Sequence, residues 1–253
     1  MITLGLDIGS TAAKGILISE DRHYSDILPT GWSPRQTGAD LTTRLTTQAE
    51  IKVSDIQRTV ATGYGRIAVQ TADKNITEIR CHARGVAYLN PEVRTIIDIG
   101  GQDSKVISIN EQGQVVDFAM NDKCAAGTGR FLQVTSNAMG MDVSELGSAE
   151  DPSELVTITS MCTVFAESEI IGLLAQNIPP GGIIAGLHQS VSRRVSSMVH
   201  RIGIKQTVAF TGGVAQNQGV QRALLEELGS SIWVPAECQF TGALGAALLA
   251  QEL

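Results

Sequence analysis

Two stretches of the chain carry the same potentially reactive residues in the same order. Residues 4–18 recur in altered form as residues 95–109. The matching pairs are Asp7 with Asp98, Gly9 with Gly100, and Lys14 with Lys105. Each copy is typical of a β-hairpin with glycine in its turn and an aspartate at the end of its first strand. Such a turn lets backbone amides approach an anion, and the carboxylate can hold Mg²⁺ directly or through water. One copy alone is common in ordinary hairpins, whereas the repetition predicts a nucleotide site.

The four cysteines are a second set of chemically capable residues. They lie far apart and form no CxxC pair, as Cys81, Cys124, Cys162 and Cys238. This spacing offers neither a zinc ribbon nor a thioredoxin motif. In a reducing compartment a disulfide framework is not expected either.

The bulk composition narrows the class of protein. The 253 residues carry a formal net charge of −7, with 43% hydrophobic and 18% charged residues. These values are typical of a globular protein, and the acidic balance argues against a nucleic acid partner. The N-terminus lacks a basic leader, and no apolar run approaches the roughly 18 residues of a membrane span. We therefore expect a cytoplasmic protein with no membrane partner.

The elements that must position these residues alternate between strand and helix. The patterns predict hairpins over 2–18 and 95–109 and strands at 59–62, 115–118, 155–159 and 207–210. They predict helices over 39–50, 77–89, 182–201 and 242–250, and two more that open at Cys124 and Met161. This alternation indicates an α/β protein. Because Pro91 disfavours helix continuation, we expect a first lobe over 1–92, a second over 93–238, and a C-terminal helix over 239–253 that packs near the first lobe.

The two hairpins followed by Thr211–Val214 resemble the actin, sugar-kinase and heat-shock chaperone superfamily, in which such elements supply two phosphate loops and an adenosine loop. Five longer strings extend the likeness over nearly the whole chain: 62–66, 98–103, 120–131, 161–169 and 211–217. They are similar to the activator component of 2-hydroxyacyl-CoA dehydratases, in the BadF/BadG/BcrA/BcrD type of ATPase. The resemblance implies duplicated actin-like (ribonuclease H-like) lobes with a nucleotide cleft between them.

The same resemblance implies an ATP-dependent electron donor. Such a protein is a homodimer that shares one [4Fe-4S] cluster, takes an electron from ferredoxin or flavodoxin and passes it to a partner dehydratase or reductase while ATP is hydrolysed to ADP. Cys124 and Cys162 lie inside the matched strings, so they are the expected cluster ligands, both at the start of a helix where the dipole favours thiolate. Cys81 and Cys238 are expected to be small buried residues. An arrangement that uses all four cysteines of one chain is the alternative.

Individual nucleotide contacts follow from the matched motifs. The turn of the first hairpin, over residues 10–13, is expected to present amides and hydroxyls to the β- and γ-phosphates, and Lys14 to neutralise their charge. Alternatively, Lys14 is a solvated strand residue. Asp7 and Asp98 would organise Mg²⁺, and either Gln102 or Asp103 would orient the attacking water. The phosphate-loop residues are Gly9, Ser10, Thr11, Ala12, Ala13, Gly100 and Gly101.

The adenosine side of the site involves a second glycine pair. Gly212 and Gly213 would let the backbone pass close to the ribose and α-phosphate, with Gln216, Asn217 and Gln239 flanking adenosine. For Asn217 and Gln239, helix capping or surface polarity is an equally good explanation. Two other functions stay open: a sugar or amino-sugar kinase of the same superfamily, and a non-redox scaffold or chaperone-like ATPase.

Overall fold

The computed structural model describes residues 1–20, 22–160 and 162–253. The strands are β1 (Ile2–Ile8), β2 (Ala12–Ser19), β3 (Arg22–Pro29), β4 (Arg58–Thr62), β5 (Lys74–Asn75), β6 (Thr95–Ile99), β7 (Ser104–Ile109), β8 (Val115–Asn121), β9 (Val208–Thr211) and β10 (Ile232–Trp233). The helices are α1 (Pro34–Gln48), α2 (Glu78–Leu89), α3 (Gly129–Ala138), α4 (Leu146–Ala149), α5 (Thr163–Ala175), α6 (Pro180–Ile202), α7 (Gln218–Leu228) and α8 (Thr241–Ala250). The predicted α/β class is confirmed.

The chain packs into two compact units. Unit 1 contains residues 1–96, 107–117 and 235–253, and unit 2 contains residues 97–106 and 118–234. The lobe boundaries that the sequence suggested, at residues 92 and 238, stay a prediction.

Unit 1 is built on a five-stranded sheet in the order β3-β2-β1-β4-β5. β1 and β2 are antiparallel, and their register places Asp7 opposite Lys14. β4 runs parallel to β1 on its other side. Leu4, Leu6 and Ile8 of β1 are fully buried with Leu41 and Leu45 of α1, which cover one face of the sheet.

Helix α8 packs against both the sheet and α2. Its sequence is rich in glycine and alanine, and all ten of its residues are buried. A Cβ atom at Gly245 would overlap the carbonyl oxygen of Cys81 in α2. The absence of a side chain there lets the two helix backbones come into direct contact.

The second sheet has the order β10-β9-β6-β7-β8. β6 and β7 are joined by a turn over residues 100–103, so the second predicted hairpin is present. The long helix α6 begins with proline in its first turn, is followed by Gly203 as its C-cap residue and packs against α7. Among the described residues, no helix is both long enough and apolar enough to cross a membrane.

Two local predictions were wrong. α1 begins at Pro34, earlier than predicted, because Ser33 caps it by accepting from the Gln36 amide. Residues 155–160 form no strand; the Val156 amide instead donates to the carbonyl of Gly182 at the start of α6. A contact with a helix thus replaces the ladder that the β-branched residues of this segment suggested. The sequence also left β3 and α7 without a prediction.

Candidate functional site

The first hairpin places its aspartate and lysine on neighbouring strands. Asp7 is 6% exposed, and the Lys14 ammonium lies 3.8 Å from its Oδ2 atom. The turn is tight, since a Cβ at Gly9 would lie 2.7 Å from the carbonyl oxygen of Ala12. The side chains of the predicted phosphate turn range from exposed to buried: Thr11 is exposed, Ser10 and Ala12 are half-buried, and Ala13 is buried. The end of the turn is thus open while its base is anchored in the core.

Backbone closes around the Asp7 carboxylate from two further directions. Gly63 has a φ of +87°, and a Cβ there would lie 2.6 Å from Asp7 Oδ1. On the other side, a Cβ at Gly242 would lie 3.1 Å from both Asp7 Oδ2 and His82 Nε2. His82 is buried and hydrogen-bonded through Nδ1 to the Thr241 hydroxyl at 2.9 Å. Gly242 and His82 were not assigned to this site from the sequence.

The second hairpin carries a more deeply buried version of the same pair. Asp98 is 2% exposed and accepts a hydrogen bond from the Thr211 hydroxyl at 2.8 Å. The Lys105 ammonium lies 3.5 Å from Asp98 Oδ2 and 2.5 Å from Asp103 Oδ2. The side chain of Lys105 is 2% exposed, against 17% for Lys14. Lys105 therefore holds two carboxylates in place. The sequence repeat matched Lys105 with Lys14 but did not predict that Lys105 is buried between two carboxylates.

The turn of this hairpin is fixed to the N-terminus of α3. The amide of Gly100 donates to the carbonyl of Asp103 at 2.9 Å, which closes the turn. The first amides of α3 then donate back to the turn, from Gly129 to Gly100 at 2.9 Å and from Arg130 to Gly101 at 2.7 Å. Gln102, which the sequence paired with Asp103 as a water-orienting residue, is exposed. The turn and the start of α3 are therefore bonded directly to each other.

The glycine pair that follows β9 lies against the second hairpin. Gly212 is buried with a φ of +89°, and a Cβ there would lie 2.7 Å from the carbonyl carbon of Ile99. Gly213 and Gln216 are exposed in the short turn that follows. Gln239 belongs to unit 1, where it is half-buried.

Asn217 has both ends of its side chain engaged inside unit 2. Its Oδ1 atom accepts from the Val220 amide at 3.1 Å and caps α7. That bond leaves Nδ2 to meet His188 Nε2 at 3.2 Å. Since Nε2 then accepts, the His188 proton resides on Nδ1, 3.1 Å from Glu150 Oε1.

Glu150 completes this network by also pairing with Arg222. Burial works to raise the pKa of Glu150, but hydrogen bonds from His188 and Arg222 outweigh it and hold the pKa below its ordinary value. A buried histidine between a carboxylate and a carboxamide carried no motif in the sequence, so this network was missed.

The four cysteines divide sharply by environment. Cys81 and Cys238 are buried, Cys124 is half-buried and Cys162 is exposed. Burial raises the pKa of the Cys81 thiol to about 12. Cys81 is thus held as an inert thiol at neutral pH.

The predicted helix positions of the two accessible cysteines are right for one and wrong for the other. Cys162 is the N-cap residue of α5, and its carbonyl accepts from the Ala166 amide at 2.9 Å; the predicted start at Met161 lies outside the described residues. Cys124 does not open a helix, because α3 starts only at Gly129 with Thr128 as its N-cap. The intervening glycine Gly127 has a φ of +81°, which breaks helical geometry.

Side chains from outside the cysteine segments hold them in place. Asn121 Nδ2 donates to the carbonyl of Cys124 at 2.8 Å. Glu169 of α5 accepts from the amides of Thr159 and Ser160 at 2.9 and 2.7 Å, and thereby clamps the segment that leads to Cys162. Burial works to raise the pKa of Glu169, but the hydrogen bonds from Ser160 and Thr159 outweigh it and hold the pKa at about 2.

Across the described ranges, no three histidine, cysteine, aspartate or glutamate side chains of this chain are grouped to hold a metal ion.

Comparison with known proteins connects these features to one family. The model of the BadF/BadG/BcrA/BcrD ATPase family matches residues 4–250. The chain is 50% identical over 253 residues to a 2-hydroxyisocaproyl-CoA dehydratase activator of Clostridioides difficile, covering 99% of this chain and 95% of the relative. It is 46% identical over 254 residues to an (R)-2-hydroxyglutaryl-CoA dehydratase activating ATPase of Acidaminococcus fermentans, covering 99% and 97% of the two chains.

The chain is also similar in fold to solved structures. The activator of the 2-hydroxyisocaproyl-CoA dehydratase from Clostridium difficile with bound ADPNP matches with a TM-score of 0.93 and 47% identity over 100% of this chain and 95% of that one. A glucokinase of the ROK family from Streptomyces griseus, covered over 100% of both chains, is only 12% identical at a TM-score of 0.58 and shows the fold alone.

The chain belongs to the BadF/BadG/BcrA/BcrD ATPase family. The resemblance drawn from its motifs is confirmed, and so are the actin-like fold class and the expectation of an ATPase.

Proposed function

We propose that this protein activates a 2-hydroxyacyl-CoA dehydratase-type enzyme by delivering one electron at the expense of ATP hydrolysis, with ferredoxin or flavodoxin as its own electron donor. The observation that carries the proposal is the fate of the four cysteines. Only Cys124 and Cys162, the two inside the matched motifs, reach the surface, while Cys81 and Cys238 are buried. The similarity to named dehydratase activators supports the same conclusion.

The two hairpins are proposed to bind the phosphates of ATP with Mg²⁺. In the first, the open turn offers amides and the Ser10 and Thr11 hydroxyls, while Lys14 lies beside Asp7 at its base. In the second, Asp98 is held by Thr211 and Lys105. Because Lys105 also pairs with Asp103, that carboxylate is poorly placed to act as a free base. We therefore assign the orientation of the attacking water to the exposed Gln102, which also disfavours a sugar kinase that needs Asp103 as its base.

Backbone hydrogen bonds supply a route from the phosphates to the cysteine loop. The turn over 100–103 is bonded to the first amides of α3. Thr128, the N-cap of α3, is bonded through its hydroxyl to Ala125 at 2.6 Å, next to Cys124. A change of phosphate contacts at this turn would therefore move the loop that carries Cys124.

The accessible cysteines fit an iron–sulfur cluster in chemistry and in number. Thiolates are the usual ligands of a four-iron cluster, which needs four of them, so two copies of this chain must contribute two each. When bound, the cluster would supply the low-potential electron. Exposed apolar side chains flank both segments: Val116, Phe118 and Met120 precede Cys124, and Val164 and Phe165 follow Cys162. A homodimer would cover this apolar surface beside the ligands.

The test is anaerobic purification with an iron count, a visible spectrum and a molar mass. We expect a brown dimer with four irons per dimer by the ligand count above. Cys124→Ala and Cys162→Ala should lose the iron, whereas Cys81→Ala, the matched control, should keep it. A protein that stays metal-free and monomeric after reconstitution would overturn the proposal. Loss of iron from Cys81→Ala as well as from Cys124→Ala and Cys162→Ala would instead indicate the arrangement that uses all four cysteines of one chain.

A further inference from the structure

A cavity of about 580 Å³ lies in unit 2, along the C-terminal half of α6. Its walls are α6, the segment around Ile158, and the strand end and loop that lead to Cys124. None of the residues assigned to the phosphate turns or the adenosine loop lines it. The cavity is therefore separate from the nucleotide contacts proposed above.

The charge of this cavity is opposite to that of the whole protein. Three arginines line it, and no acidic side chain in the described part of the chain does. Arg193 is paired with Glu227 at 3.0 Å. For Arg194 and Arg201, no carboxylate lies within ion-pair distance among the residues outside positions 21 and 161. In a chain with a net charge of −7, two guanidinium groups without a carboxylate beside a cavity are a binding surface for an anion.

The arginines are arranged on one face of the helix. Positions 190, 194, 197 and 201 follow helical spacing, so Ser190 and Ser197 alternate with Arg194 and Arg201 along the cavity. At 1.5 Å per residue the two arginines are about 10 Å apart along the axis, and their long side chains can converge on one group. The stem of Arg194 packs on Gly127, where a Cβ would lie 3.1 Å from Cδ. Arg194 is thus held in place.

Part of the remaining cavity lining is apolar. Ile158, Met198, Met120 and Ala126 contribute carbon surface beside the arginines and serines. The volume lies in the range of small-molecule sites, which combine an apolar lining with a few polar anchors. A guanidinium group can bind a phosphate group in a bidentate manner, through two parallel N–H···O hydrogen bonds.

We propose that this cavity binds an organic phosphate, a phosphate or diphosphate group attached to an apolar or aromatic body. Arg194, Arg201 and the two serines hold the phosphate, and the carbon surface of Ile158 and Met198 packs on the body. Asn121 also lines the cavity, and its side chain donates to the Cys124 carbonyl. A ligand in the cavity that contacts Asn121 would therefore change the hydrogen bond that holds the loop carrying Cys124.

The site is tested by protection of arginines against phenylglyoxal, mapped by mass spectrometry, with inorganic pyrophosphate and ADP as probes. In the wild type both probes should slow modification of Arg194 and Arg201 but not of exposed Arg22. ADP should protect at lower concentration than pyrophosphate, because only ADP has a body to pack on the apolar part of the lining. The same experiment in Lys14→Ala, which removes a proposed ATP contact but no residue of the cavity, should give the same protection. A failure of the cavity proposal can therefore be distinguished from a failure of the proposed function.

Calorimetry with variants completes the test. In the Lys14→Ala background, the double change Arg194→Gln and Arg201→Gln should weaken pyrophosphate binding by about tenfold or more, because two charge-assisted contacts are lost. Arg22→Gln is the matched control and should bind as before. Binding should also slow the alkylation of Cys124 in the metal-free protein. Equal affinity in the arginine double variant, or modification of Arg194 and Arg201 that neither probe slows, would overturn the proposal.

Discussion

Replacing Lys105 by methionine should destabilise the protein far more than the same change at Lys14. Methionine keeps the length and apolar stem of lysine but removes its charge. At position 105 this leaves the carboxylates of Asp98 and Asp103 together without the ammonium that lies 3.5 and 2.5 Å from them. At position 14 only one contact of 3.8 Å is lost, in a more exposed setting.

The magnitudes follow from burial. Removing one partner of a buried ion pair costs about 3–5 kcal/mol, since the remaining charge stays desolvated. An ion pair close to solvent is worth about 0–1 kcal/mol. For a chain of this size each kcal/mol shifts Tm by roughly 2–4 °C, so we expect a loss of roughly 6–20 °C for Lys105→Met and at most about 4 °C for Lys14→Met.

Thermal unfolding by calorimetry at neutral pH measures the Tm of both variants. Binding of a non-hydrolysable ATP analogue measures their nucleotide affinity, for which we expect Lys14→Met to show the larger loss. Lys14→Met should lose nucleotide affinity while its Tm falls by at most about 4 °C. Adding Asp103→Asn to Lys105→Met should recover part of the lost stability, because it removes one of the uncompensated charges. A Tm for Lys105→Met within about 2 °C of wild type would refute the argument, since that shift corresponds to at most about 1 kcal/mol on the same scale.

Three further predictions concern the supports of the site. Glu169→Gln should speed amide hydrogen exchange of residues 159–160. Since the pKa of about 2 lies below the ordinary value, the stability contributed by Glu169 is present above about pH 4.5 and is lost as pH falls toward 2. Urea titrations should therefore show that the free energy of unfolding falls less steeply with acid in the variant than in the wild type. Glu150→Gln should cost about 1.5–3 kcal/mol at pH 7, as a charged hydrogen-bond partner is removed, and its difference from wild type should shrink below about pH 4.5, because the pKa of Glu150 is lowered in the fold. Gly63→Ala should weaken ATP-analogue binding and stability together, whereas Gly31→Ala, at a φ of +58° with nothing within 4 Å, should lose only the roughly 1 kcal/mol of backbone strain; equal losses in the two variants would contradict the crowding of Asp7.

Much of the chemistry could be predicted because it is written locally. The repeat of aspartate, glycine and lysine predicted both hairpins, since a strand, a turn and a returning strand involve only neighbouring residues. The helices α2 and α8 also lie close to their predicted positions, because periodicity and caps act over a single turn. The resemblance to the family followed from the same strings, and a relative that is 50% identical over 253 residues confirms the family.

Other features depended on which distant residues meet. Residues 155–159 have strand-like composition, but the neighbour that the fold supplies is the start of α6, so the backbone bonds there and no ladder forms. Helix α3 starts after Cys124 because the left-handed Gly127 interrupts the backbone and the amides of residues 129–130 bind the distant turn at Gly100.

The sequence by itself determined which residues could do chemistry: the two aspartate–lysine pairs and the four cysteines. Only the tertiary structure decided what each one is. Lys14 and Lys105 stand at the same place in the repeat, yet one borders an open turn and the other is enclosed with two carboxylates. Cys81 and Cys162 are the same thiol in sequence, but α8 buries the first and leaves it protonated, whereas the second caps a helix at the surface. Burial and electrostatic environment are sums over residues far apart in the chain, and no local pattern contains them.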